Sequence, residues 1–285
     1  MEIIGYSERG MLNSLFYEIA YSKNNLQLLN QFFKLVCFPY RNVNFQISDA
    51  KLLLEQSFSD FGDADAVFLL DNNNRQVAFI EAKVNTPQRS YISKGGFDIS
   101  MEFEEFMQGM NESDPHRSLI SNLFVQLYLK LRLIKALQHG DLNQLKEGLQ
   151  FPRCLSKKSR KTHKRDMPRK IGDNDVVLKA INLLKEYSRD ALFIALVPEE
   201  SSELAIFYRK LREHKLEEFQ EWDVTDWGYI SWADVEIFCE KHNLVGTLKN
   251  FAFNGKRIYA KKSATRDNRV LLNLSMPDPM LPGRS

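Results

Sequence analysis

Two apolar runs, Ala66–Leu70 and Val77–Ile80, stand on either side of the hexapeptide Asp71-Asn72-Asn73-Asn74-Arg75-Gln76. Asn tolerates positive φ, so a cluster of Asp and Asn between two strand-like segments predicts a β-hairpin. The end opposite the turn is charged as well. Asp65 precedes the first run, and Glu81 and Lys83 close the second.

Around it the pattern predicts further elements. Ser7 can cap a helix that opens at Glu8, with Leu12, Leu15 and Ile19 as its apolar stripe. Asn24–Asn25 interrupts, and Leu26–Val36 continues as a second helix ending near Pro39. Leu52–Leu54 is predicted as a strand ahead of the hairpin. Helices are expected over Glu102–Met110 and Ser118–Gln138, with Gln126 and Tyr128 as half-buried positions of the second. After a stretch rich in Lys, Arg, Ser and Pro, the order is helix Val176–Tyr187, buried strand Ala191–Val197, helix Leu204–Phe219, strand Gly228–Ser231 and helix Ala233–Lys241. This describes a single α/β sheet with helices on both sides. No internal repeat is visible, and one domain is expected over residues 1–250, followed by a basic extension, 251–285.

The 285 residues are 44% hydrophobic, enough for a sizeable core, which excludes a disordered, collagen-like or coiled-coil chain. No apolar run reaches membrane-spanning length, and the N-terminus lacks a secretory pattern. A soluble, cytoplasmic protein without a membrane partner is expected. Cys37, Cys154 and Cys239 are odd in number and far apart, forming neither a disulfide framework nor a metal-binding pair. The net charge of +2 hides segregation. Residues 151–172 hold 9 basic side chains against Asp166 alone, whereas residues 1–114 hold 9 basic and 16 acidic. An acidic body with basic segments suits a protein that holds a polyanion near a carboxylate cluster.

The chain contains no Gly-rich phosphate loop, no His-Glu-x-x-His, no Cys-x-x-Cys and no Gly-x-Ser-x-Gly. An acid, one residue and a lysine occur three times, as Asp49-Ala50-Lys51, Glu81-Ala82-Lys83 and Glu213-His214-Lys215. Only the second closes an apolar strand. Its Glu81 and Lys83 share a face because strands alternate with period two. In an antiparallel hairpin, Asp65 falls beside Glu81. Two carboxylates and an ammonium would then meet at one buried end, where charge needs compensation. A hard divalent cation supplies it, since magnesium takes oxygen ligands and usually keeps several waters.

With these residues in view, the chain resembles the PD-(D/E)xK phosphodiesterase superfamily, the restriction-endonuclease-like nucleases. Asp65, Glu81 and Lys83 match its Asp…Glu-x-Lys motif, with Ala64 where the motif's proline would stand. The resemblance spans roughly residues 7–250 and implies an αβββαβ core with a mixed central sheet flanked by helices. It implies a metal-dependent nuclease acting in restriction, defence or repair, with DNA favoured over RNA and a homodimer allowed. Asp65, Glu81 and the carbonyl of Ala82 would hold one or two magnesium ions, which manganese can replace, and Lys83 would orient or deprotonate the attacking water. An acid from the first helix often joins such sites; Glu8 is the choice here and Glu18 the alternative. Tyr229-Ile230-Ser231-Trp232-Ala233-Asp234 resembles a late strand-to-helix junction of several members. Arg89 and Lys94 lie where a nucleic-acid backbone would pass. Lys157, Lys158, Arg160, Lys161, Lys164 and Arg165 of the basic loop, and Lys256, Arg257, Lys261 and Lys262, are further expected phosphate contacts. The alternative is a catalytically silent module on the same scaffold, binding nucleic acid or a protein partner.

Overall fold

The computed structural model describes residues 7–72, 74–85, 97–111, 121–140, 171–211, 224–255 and 258. Two helices, α1 (Ser7–Tyr21) and α2 (Asn25–Phe33), precede the strands β1 (Asp49–Ser57), β2 (Asp63–Asp71) and β3 (Arg75–Ala82). There follow α3 (Ile99–Asn111), α4 (Leu123–Gln138), α5 (Asp175–Tyr187), β4 (Ala191–Val197), α6 (Ser201–Leu211), β5 (Trp227–Ser231), α7 (Trp232–His242) and α8 (Val245–Asn254). The strands form one five-stranded sheet in the order β1-β2-β3-β4-β5. The β1–β2 and β2–β3 pairs are antiparallel, whereas β4 and β5 continue parallel to β3. The fold is therefore α/β, a mixed sheet flanked by helices.

The hairpin forms as expected, and it is tighter. Asp71 pairs with Arg75, so the strands consume half of the polar hexapeptide and the loop shrinks to 72–74. There the Asn72 side chain accepts the Asn74 N–H at 2.9 Å. Strand β1 also outruns its apolar centre Leu52–Leu54. It is an edge strand, half-exposed along its length, so its polar flanks reach solvent without leaving the ladder. Strand β4 matches its expected bounds. All seven of its residues are buried, as in a strand covered on both faces.

Each sheet face carries its own core. On one, Val67, Leu69, Val77, Phe79, Phe193 and Val197 pack against α3, α4, α5 and α6. Phe79 stacks on Phe193 at 5.8 Å, and Phe124 of α4 stacks on Trp227 of β5 at 6.1 Å. On the other, Phe68, Leu70, Ile80, Ile194 and Leu196 meet α1, α2, α7 and α8. The expected stripe Leu12, Leu15 and Ile19 is buried there.

Helix α4 begins later than its pattern suggests. Asn122 caps it, accepting the N–H groups of Phe124 and Val125, and Glu102 of α3 accepts the Leu123 N–H at 2.8 Å. Among the described residues no helix is long and apolar enough to cross a membrane.

Helix α8 lies along α1 through polar contacts. Asn254 donates to the Met11 sulfur, and Asn250 donates to the Ser14 hydroxyl at 2.7 Å. Glu18 accepts the N–H groups of Gly246 and Thr247, at 3.0 and 2.8 Å, and the Thr247 hydroxyl at 2.8 Å. A carboxylate there satisfies donors the first turn would otherwise leave unpaired and complements the helix dipole. Glu18→Ala is expected to lower stability by about 1 to 2 kcal/mol in urea denaturation. Glu18→Gln, which keeps an acceptor, should lose less.

Candidate active site

The ladder brings the three motif residues together at one end of the hairpin. Ala66 pairs with Ile80, which sets Asp65 beside Glu81 across the strands. The Asp65 carboxylate reaches past that position and accepts the Ala82 N–H at 2.8 Å. Glu81 and Lys83 alternate with Phe79 onto the face covered by α4. Lys83 is 5% exposed. Its ammonium donates to Gln126 Oε1 of α4 at 2.5 Å, and its own carbonyl accepts the Trp232 indole N–H at 2.7 Å. The strand-to-helix junction around Trp232 thus touches the motif lysine, and Ser231 caps the helix that follows.

Glu81 is fully buried beside Lys130 of α4, whose Nζ lies 3.2 Å from Oε1. That contact is an ion pair without hydrogen-bond alignment, and among the described residues Glu81 Oε2 has no hydrogen-bond partner. Lys130 is itself fully buried and donates to the carbonyls of Phe61, at 3.1 Å, and Asp63, at 3.0 Å. Those carbonyls belong to the turn that leads into β2, and the turn depends on Gly62. At φ 77° and ψ 176° this residue holds a conformation open almost only to glycine. A Cβ there would also meet Lys130 Nζ at 3.4 Å.

The electrostatics follow from this burial. Loss of water pushes the Glu81 carboxyl up to about 7; Lys130 and Lys83 pull it back, and Asp65 adds to the rise. Burial likewise raises Asp65 above the ordinary carboxylate range, opposed by Lys83, the Ala82 N–H and Lys130 and reinforced by Glu8. Glu8 reaches the end of β3, where its Oε1 accepts the Val84 N–H at 3.4 Å. Glu18, the other candidate from the first helix, is engaged at the start of α8 instead.

Sequence reasoning missed Lys130 and set Gln126 aside. A signal was present. In Leu123–Leu131, an otherwise apolar and aromatic run, these two polar residues stand four apart, on one helical face. Tyr128 points elsewhere, taking a hydrogen bond from Arg132 and packing on Phe106. Arg89, Lys94, Lys157, Lys158, Arg160, Lys161, Lys164 and Arg165 lie outside the described residues, as do Lys256, Arg257, Lys261 and Lys262.

Among the described residues no group of three or more His, Cys, Asp or Glu side chains is arranged to hold a metal ion. The donor set still suits a magnesium ion, which needs only one or two carboxylates when waters complete its shell. Glu81 Oε2, without a hydrogen-bond partner among the described residues, is the kind of buried acceptor that such an ion satisfies. In comparisons with known proteins, no family model, no curated protein and no solved structure matches this chain.

The raised Glu81 carboxyl has a consequence for stability. Its folded value lies above its unfolded value of 4.5, so folding takes up a proton between those limits. The stability it contributes is full below pH 4.5 and is lost as pH rises toward about 7. In urea denaturation, wild type should lose on the order of 3 kcal/mol relative to Glu81→Gln between pH 4.5 and 7.5. Parallel pH profiles for the two proteins would contradict this.

Proposed function

We propose that the chain is a magnesium-dependent phosphodiesterase of the restriction-endonuclease-like kind, acting on nucleic acid, with DNA as the favoured substrate. The observation that carries this is the convergence of Asp65, Glu81 and Lys83 at one end of the β2–β3 hairpin, with Glu81 Oε2 lacking a hydrogen-bond partner among the described residues. The chain path agrees with an αβββαβ core: α1, then the antiparallel β1-β2-β3, then helices, then β4 parallel to β3.

In this reading Asp65, Glu81 and the Ala82 carbonyl hold the ion, with Glu8 beside them. A bound magnesium ion supplies charge neutralisation at the scissile phosphate and acidifies water. Lys83 orients or deprotonates the attacking water, and Gln126 fixes where the Lys83 ammonium sits. The net −7 of residues 1–114 keeps the body acidic, so phosphate contacts fall to the basic stretch 151–172 and the basic tail. Restriction, defence and repair are the roles that such chemistry serves.

The silent-module alternative draws on one observation. Lys130 already pairs with the buried Glu81 without a metal ion.

Nicking of supercoiled plasmid separates the two. Wild type should cleave with Mg²⁺ or Mn²⁺ and stop with EDTA, and Lys83→Ala should lose at least about 100-fold in rate. No cleavage with any metal, on plasmid, single-stranded DNA or RNA, would leave the silent module.

A further inference from the structure

We propose that Lys130 occupies the place of a second metal ion, so that the site holds one divalent cation; this rests on the nuclease reading above. An ammonium has three protons. Two of those on Lys130 go to the Phe61 and Asp63 carbonyls, at 3.1 and 3.0 Å, and the charged nitrogen lies 3.2 Å from Glu81 Oε1. The side chain is fully buried in α4, and swinging away would strip two carbonyls of their donor. It is therefore a fixed charge. Its anchoring carbonyls lie in the turn that feeds β2, which ties it to Asp65 as well as to Glu81.

Two-metal phosphodiesterase sites place their cations about 3.5–4 Å apart around shared carboxylates. A second cation on Glu81 Oε1 would sit against the Lys130 ammonium. Repulsion grows with the product of the charges, and water is scarce there to screen it. Glu81 Oε2, which has no hydrogen-bond partner among the described residues, is left for a single ion shared with Asp65.

The test is a titration of the full chain with Mn²⁺, counting bound ions by electron paramagnetic resonance and calorimetry. Wild type should bind one ion, lost in Asp65→Ala, with no signature of an exchange-coupled pair. Lys130→Met, folded by circular dichroism, should bind two and show the coupled signature. Two ions on wild type would overturn the inference and leave the nuclease reading standing. No ion on wild type would overturn both. One ion on folded Lys130→Met, or one that persists in Asp65→Ala, would also overturn it. Should Lys130→Met fail to fold, the wild-type count and its coupling signature decide alone.

Discussion

A carboxyl and an amine with no access to water meet at the foot of the hairpin, and much of the surrounding structure is built around them. Glu81 and Lys130 are each fully buried. Removing one partner of such a pair typically costs about 3 to 5 kcal/mol, whereas replacing both by apolar groups is often neutral or stabilising. The pair is thus a poor device for stability alone. Several features converge on it: α4 presents Lys130, β3 presents Glu81, and the turn at Gly62 aims two carbonyls at the ammonium. That assembly joins the start of β2 to the end of β3, where the ladder sets Asp65 beside Glu81.

The rest of the sheet gives the pair its setting. Strands β3, β4 and β5 run parallel, so Lys83, Glu199 and Ser231 fall at or just beyond the carboxyl ends of neighbouring strands. The carboxyl ends of strands are where open α/β sheets bind ligands. Glu199 accepts the Ile99 N–H at 2.7 Å, and burial pushes its carboxyl up to about 8. It ties the start of α3 to the end of β4, on the flank of the candidate site.

Much of the fold could be read from the chain because local pattern and environment agree there. The Asp-Asn turn, the continuous apolar run of β4 and the helical stripe of α1 each have one good explanation. Where they disagree, the sequence misleads. Helix α8 turns Thr247, Asn250 and Asn254 inward, all buried, to meet polar groups on α1, so no apolar stripe announces it. Strand β1 hides its ends in the polar residues of an edge. At the site, Asp65, Glu81 and Lys83 were legible because strand period and hairpin pairing act over short distances. Lys130 was not, since only the packing of α4 on β3 shows which charge it meets.

The closing measurement is diffraction from crystals grown with Mn²⁺, recorded at the manganese absorption edge. An anomalous peak bonded by the Asp65 and Glu81 carboxylates, with Lys130 still anchored to the Phe61 and Asp63 carbonyls, is the predicted result. A map with no peak there, and Glu81 held by Lys130 alone, would contradict a metal-dependent site.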